Sequence, residues 1–400
     1  MPWTLGFALV VFLPLAVINY YVWRKVFQAL CELTTWDRKR LRITTVSLHV
    51  WVSILPVIYI VTYLIIGRRA IPVFAGDSLL IDLLFSYPFW IALVILVQLF
   101  VLFAFLDLLE IAVLRFVPSA MEWPRGISTR IHVSLVVIVA FYSMVTIARD
   151  TWTTRVVEHT VSLPAQFKSL HGFRIAQISD VQGDGRTTAK VLRQYVAKVN
   201  SLHPDIVLFA GDLVTSGTSY IDSTAEILGE LRSRLGTVAA IGDHDMFSNK
   251  IMVSDAMERR GIRVIEDSTI MLSVDSSRVA ISVVTYTYSQ RPTADKLGSL
   301  PTGTGGAYKI FLVHQPAEKL VQFAKDRGYD LFVAGHTHGG GLAFGVPGLF
   351  LVAPASLETR FLSGLYKIGE MFVSVTNGLG FTISPVRFNA PAEISILNLQ

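Results

Sequence analysis

Four stretches of the chain, residues 2–23, 43–67, 83–106 and 131–148, contain no Asp, Glu, Lys or Arg. Each is long enough to cross a hydrocarbon layer of roughly 30 Å as a helix. They predict an all-α membrane domain of four transmembrane helices over residues 1–148. The apolar stretch ahead of the third, interrupted by Asp77 and Asp82, reads as a loop with an interfacial helix. Beyond Arg149 the apolar runs shorten and are broken by Gly, Pro, Asp and Asn, as in a globular α/β domain. Residues 149–171 read as a connector and 172–400 as that domain. Within it, β-rich runs over 173–179, 205–210, 237–241, 309–313 and 330–334 are separated by helical patterns over 187–200, 221–233, 249–260 and 316–326.

Composition deepens the division. With 52% hydrophobic and 16% charged residues and a mean hydropathy of +0.52, the chain is too apolar for an ordinary soluble protein. Its one cysteine, Cys31, has no partner within the chain for a disulfide. Residues 1–150 hold 12 Lys and Arg against 8 Asp and Glu, which leaves 23 against 22 for the rest. A globular part so nearly neutral argues against nucleic acid as a partner. The cations gather in the first loop (Arg24, Lys25, Arg38, Lys39, Arg40, Arg42) and the third (Arg115, Arg125, Arg130), against Arg68 and Arg69 in the second. Loops one and three are therefore expected in the cytoplasm, and four crossings put the globular domain on the outer side. Within the spans, His49, Gln98 and Ser143 are read as making interhelical hydrogen bonds.

The β-rich runs share one kind of ending. They lead into Asp180, Gly211-Asp212, Gly242-Asp-His-Asp245, His314 and Gly335-His-Thr-His-Gly339. A single Asp or His after a strand is ordinarily a turn residue or a cap. Five such ends at the strand edge where α/β sheets collect ligands point instead to a site. In an extended segment His336 and His338 face the same side. Carboxylates mixed with imidazoles suit Mn, Fe, Zn or Co in a paired site.

In order and spacing these motifs resemble the calcineurin-like metallophosphoesterase superfamily over about residues 155–400. The tail, with Leu362-Ser-Gly-Leu-Tyr366, Asn377-Gly-Leu-Gly380, Pro385-Val-Arg-Phe388 and Pro391-Ala-Glu-Ile394, looks like its membrane-associated bacterial branch. The resemblance implies an αββα sandwich that hydrolyses a phosphodiester, phosphomonoester or pyrophosphate bond with two divalent metal ions. One would be held by Asp180, Gln182, Asp212 and His338, the other by Asp212, Asp243, His314 and His336. His244 would donate to a phosphoryl oxygen or the leaving group, with Asp245 as a candidate to orient it. Three positions depart from the common pattern: Gln182 stands for His, Asp243 for Asn, and Thr215 for an acid found in many relatives. The amide oxygen of Gln182 is a hard ligand, which favours Mn or Mg over Zn. Thr215 removes a carboxylate that would orient the His244 ring. Four spans point to a lipid-linked or envelope substrate and to a multi-pass protein of the bacterial plasma membrane. Two alternatives stand beside this: a pyrophosphatase of UDP-2,3-diacylglucosamine on the cytoplasmic face, and a non-catalytic metal-binding sensor or scaffold. The stretch 286–308, with its Gly-rich segment at 301–306, reads as an irregular connection in preference to a phosphate-cradling loop. Oligomeric state leaves no mark on the sequence.

Overall fold

A computed structural model describes residues 3–67, 70–116, 125–300, 306–346, 348–381 and 383–400. Two compact units emerge, one of Met1–Phe74 and Ser78–Arg149, the other of Ala75–Asp77 and Asp150–Gln400.

The first unit is helical. Its first expected span lies in the helix Trp3–Leu33, where the side chains of residues 3–13 are outside the described set. The second is a broken one: helices Arg38–Ser53 and Leu55–Ile66 meet at a 47° bend. Pro56, in the first turn of the second helix, has no N–H to continue the ladder and its ring crowds the preceding turn. The third apolar run begins earlier than its sequence pattern indicates. Asp82 is buried inside it, and the break falls at Gly76, whose φ of 104° no helix accommodates. Among the described residues, Leu79–Val113 and Gly126–Trp152 are long and apolar enough to cross a membrane, and the bent pair is a third if it counts as one span. The polar residues inside the unit are tied to one another. Gln98 Nε2 donates to Ser143 Oγ at 2.8 Å, His49 Nε2 lies 3.1 Å from the Asn19 carbonyl, and Lys25 and Tyr21 both reach Asp107 at 2.6 Å.

The second unit holds two six-stranded mixed sheets and a two-stranded ribbon. In chain order the strands are β1 (Thr154–Val161), β2 (Arg174–Ile178), β3 (Ile206–Phe209), β4 (Thr237–Ala239), β5 (Ile262–Val264), β6 (Ser268–Val274) and β7 (Ser277–Val284). They continue with β8 (Ala307–Val313), β9 (Leu331–Ala334), β10 (Phe344–Val346), β11 (Phe350–Val352), β12 (Gly364–Ile368), β13 (Met371–Val375) and β14 (Ala392–Leu399). One sheet has the order β1-β14-β2-β3-β4-β5, the other β12-β13-β9-β8-β7-β6, and β10 pairs with β11 apart from both. The segment 149–171 is thus not merely a connector: residues 154–161 pair in parallel with β14 as an edge strand. Its polar alternation, with Val161 the one fully buried side chain of the strand, hides it from an apolar-run reading.

Alternation explains the layering. In β3, Ile206 and Leu208 enter the core between the sheets, while Val207 and Phe209 face the helix-covered side. A strand buried on both faces reads as an unbroken apolar run. Leu192, Val196 and Val199 of helix Ala189–Ser201, and Val253 and Met257 of helix Lys250–Arg259, cover that outer face. Leu320, Val321 and Ala324 of helix Glu318–Asp326 cover Phe311, Val313 and Phe332 on the other sheet. The result is helix, sheet, sheet, helix.

One polar residue crosses the apolar interior. Gln177 in β2 is fully buried; its Nε2 donates to the Ala334 carbonyl at the end of β9 at 2.7 Å, and its Oε1 accepts from Ser374 Oγ in β13 at 2.6 Å. These bonds fix the end of one sheet against the end of the other. Replacing Gln177 by Met keeps the bulk but strands the Ser374 hydroxyl and leaves the Ala334 carbonyl only its bond from the Thr376 N–H. The expected cost is about 1–3 kcal/mol, read as a lower unfolding midpoint of the purified full-length chain.

Candidate metal centre

The parallel strands β2, β3 and β4 of one sheet and β8 and β9 of the other deliver their last residues to one place. Asp180 and Gln182 follow β2, Asp212 follows β3, Asp243 and His244 follow β4, His314 follows β8, and His336 and His338 follow β9. Asp180, Gln182, Asp212, Asp243, His314 and His338 are buried, and His244 and His336 are partly so. Oxygen or nitrogen atoms of Asp243, His314 and His336 lie within 4.8 Å of one another, as do those of Asp180, Asp212 and His314.

The backbone bends sharply to bring these groups inward. Asp180, Gln182, Asp212, His336 and His338 have φ of 51°, 49°, 63°, 71° and 51°, the left-handed region that side chains avoid. Such conformations cost of order 1–3 kcal/mol each and persist where the surroundings over-determine them. Here the surroundings are visible. The Asp245 carboxylate, wholly buried, accepts from the backbone N–H of Asp212 (2.9 Å), Leu213 (2.8 Å) and Gly242 (2.9 Å). Gly242 must be glycine, because a Cβ there would lie 2.2 Å from Asp212 Oδ1. Gly378 likewise passes under Asp180, where a Cβ would stand 2.7 Å from that of the aspartate.

Three buried atoms face the cluster without a hydrogen-bond partner: Asp180 Oδ1, Gln182 Oε1 and His314 Nε2. Each is of a type that can ligate a divalent ion, and the last is left over because His314 Nδ1 is bonded to the Ala210 carbonyl at 2.7 Å. His314 Nε2 lies 3.4 Å from both Asp212 Oδ2 and Asp243 Oδ2. Gln182 Nε2 donates to Asp212 Oδ2 at 2.9 Å. His338 Nε2 is 3.4 Å from Asp180 Oδ1, and His336 Nδ1 is 3.0 Å from Asp243 Oδ2. Carboxylates, imidazoles and one amide oxygen with spare lone pairs form a donor set that fits divalent ions.

Electrostatics says the same. Burial pulls the His336 ring down, but its bonds to Asp243 and Glu358 win and raise it to about 9. Burial likewise opposes charge on His314, yet the Asp212 and Asp243 carboxylates hold it well above its usual value. Asp212 resists burial in turn and falls to about 2 beside His314 and His244. His338, where burial dominates, drops to about 4. The cluster is a concentration of negative charge that demands positive charge at its centre.

His244 and Asp245 divide differently from their sequence reading. The Asp245 carboxylate turns to backbone N–H groups, and His244 Nδ1 is bonded to the backbone carbonyl of Thr215. The Thr215 hydroxyl donates to Asp184 Oδ2 at 2.6 Å, and Asp184 Oδ1 accepts from the N–H of Arg186 and Thr187. Several other neighbours escape the sequence motifs. Glu358 Oε2 lies 3.1 Å from His336 Nε2 and accepts from Tyr288 OH at 2.6 Å. Asp243 accepts from the Tyr288 N–H and from Gln315 Nε2. Arg387, buried, donates to the carbonyls of Asn377, Gly378, Gly380 and Ala390 behind His338. Of these, Arg387 and the Asn377–Gly380 carbonyls carried a sequence signal, as part of the tail motifs, and Tyr288 lay in the stretch 286–308. Of the Gly-rich segment 301–306, residues 301–305 lie outside the described residues.

Comparison with known proteins agrees with this geometry. Residues 173–340 match the calcineurin-like phosphoesterase family profile. The chain is 28% identical over 247 residues to the uncharacterised metallophosphoesterase YkuE of Bacillus subtilis, covering 61% of this chain and 84% of that one. It is 28% identical over 299 residues to a zebrafish (Danio rerio) transmembrane protein with a metallophosphoesterase domain, covering 70% of this chain and 65% of the other. It is 23% identical over 231 residues to the phosphodiesterase YaeI of Escherichia coli, covering 57% and 82%. The strand-end cluster and these relatives lead to one conclusion: the second unit carries a calcineurin-like phosphoesterase domain, the domain of a metal-dependent phosphoester hydrolase.

Proposed function

We propose that the domain cleaves a phosphodiester or pyrophosphate bond of a lipid-linked or envelope substrate, with two divalent ions of which manganese is preferred. The observation that carries this reading is that Asp180, Asp212 and His314, and Asp243, His314 and His336, bring oxygen or nitrogen atoms within 4.8 Å of one another, with Asp180 Oδ1, Gln182 Oε1 and His314 Nε2 buried and unpartnered. In it, Asp180, Gln182, Asp212 and His338 hold one ion, and Asp212, Asp243, His314 and His336 the other. Ions so held would supply Lewis acidity to a phosphoryl group and to a water. The chain's own residues do the rest. With Nδ1–H given to the Thr215 carbonyl, His244 keeps Nε2 for a mobile proton, which it donates to the phosphoryl oxygen or the leaving group. Asp245 positions the loop that carries Asp212 and His244. The phosphodiesterase named among the relatives supports a diester. The transmembrane relative and the apolar helices support a multi-pass membrane protein with a substrate at the bilayer, and the cation asymmetry supports an outward-facing domain.

The deciding experiment assays the purified full-length protein, after chelation and reloading, against mono-, di- and pyrophosphate esters with Mn, Mg, Zn and Co. Diester cleavage fastest with Mn is expected; inactivity with every metal would overturn the reading. A reporter fused after Gln400 should show alkaline phosphatase activity, and green fluorescence instead would put the domain in the cytoplasm. Two substitutions separate ligand from donor. Asp212→Asn should abolish turnover and lower bound metal below two ions per chain. His244→Ala should leave metal content intact while the rate falls by roughly 10²–10³-fold, as for loss of one transition-state donor. Gln182→His exchanges the amide oxygen for an imidazole, so zinc affinity should rise and the metal preference shift toward Zn. An unchanged metal profile would remove Gln182 from the coordination shell.

A further inference from the structure

From Gly339 to Leu357 the chain has no charged residue, and Ser356 is its one polar side chain. This segment carries the β10–β11 ribbon, which belongs to neither main sheet. Its register sets Phe344 opposite Val352 and Val346 opposite Phe350, so these four side chains share one face. A half-buried ribbon ordinarily turns its apolar face to the core. This one does the reverse: Val346, Phe350 and Val352 are 52%, 55% and 58% exposed, Leu349 at the turn 77%, and Leu357 beyond it 92%. Phe344 alone reaches inward, to the Phe388 ring at 5.8 Å between centroids. The ribbon is also continuous with the candidate centre. His338 precedes it and Glu358, hydrogen-bonded to His336, follows it. Backbone bonds between Ala343 and Phe388, and between Phe388 and Gly341, fasten its base.

We propose that this ribbon is a membrane-inserting wedge, whose exposed face enters the acyl region of a phospholipid bilayer beside the centre. A bilayer is the occupant because Thr153 alone separates helix Arg125–Trp152, whose body is apolar enough to cross a membrane, from β1 of the catalytic unit. The segment's lack of charge removes the main penalty on entry, and its bulky apolar side chains supply the driving force. A protein partner would instead call for the polar rim that interfaces carry, and the segment offers one hydroxyl. The inference rests on the membrane reading above and gives it a lipid-facing element at the site's edge; it does not depend on the reaction.

The test uses the full-length chain in phosphatidylcholine and phosphatidylglycerol liposomes. Cys31→Ser clears the background, and Leu349→Cys or, as a control, Ser201→Cys takes an environment-sensitive fluorophore. The label at 349 should be quenched by acyl-chain nitroxides and spared by aqueous iodide, with the opposite pattern at 201. Iodide quenching at both positions overturns the wedge. So does protection of 349 from both quenchers with cross-linking to a second copy, which makes the ribbon a self-association surface. As a second readout, Leu349→Asp should lower turnover of a long-chain phosphodiester in vesicles about tenfold relative to a water-soluble diester; equal rates on both count against it. A wild type that cleaves no diester refutes the proposed reaction and leaves the quenching result to judge the wedge.

Discussion

Burying three carboxylates in one small space is the constraint on which the rest of the catalytic unit depends. Asp180, Asp212 and Asp243 are all but removed from solvent, and uncompensated charge in such a place is costly enough to unfold a domain. The fold answers with donors that cannot leave. The His336 N–H reaches Asp180 Oδ2 at 2.9 Å, the His244 N–H reaches Asp212 Oδ1 at 2.8 Å, and the Tyr288 N–H reaches Asp243 Oδ1 at 2.7 Å. Each aspartate thereby keeps one oxygen tied to the backbone of a different strand end and turns the other toward the cluster. The left-handed backbone at five of the site residues follows from this arrangement.

The donors come from both sheets, so the site exists only while the sheets stay in register with each other. Asp180 leaves β2 in one sheet and His336 leaves β9 in the other, and the hydrogen bond between them spans the sandwich at its open end. Gln177 makes the equivalent connection one layer deeper. Apolar packing alone, with Ile175, Leu208 and Val333 between the sheets, is not directional and would tolerate sliding. The polar crossings convert that packing into a fixed alignment.

How much of this was legible in the chain depends on the type of element. Parallel strands buried on both faces, such as β3 and β8, stand out as apolar runs, and their terminal Asp and His residues stand out against them. The helices over them appear at nearly the positions their periodicity indicates. What the pattern hides is structure whose residues look polar or irregular. Edge strand β1 passes for a connector, and Glu358 and Tyr288 approach His336 from loops with no local periodicity. In the helical unit, charge-free runs locate the helices, yet they misplace the break, because a buried Asp82 is tolerated inside a helix where Gly76 with positive φ is not. The sheet-crossing role of Gln177 was invisible for a different reason: a glutamine in an apolar strand carries no mark of which neighbour it will face.

The bond from His244 to Thr215 has a consequence for reading relatives of this chain. The acceptor is a main-chain oxygen, and every amino acid brings that atom. The orienting function therefore lies in the path of the loop after β3, which the Thr215 side chain helps to hold through Asp184 and which needs no acid at 215. An acid missing from an alignment column at that position says nothing about whether the imidazole is held. What must be preserved is the turn itself, held here by the Thr215 hydroxyl on Asp184, by the Thr215 N–H on the Gly183 carbonyl and by Asp245 on the Asp212 and Leu213 N–H groups, so a decayed member of the lineage would be recognised by loss of those bonds and not by lack of an acid at 215.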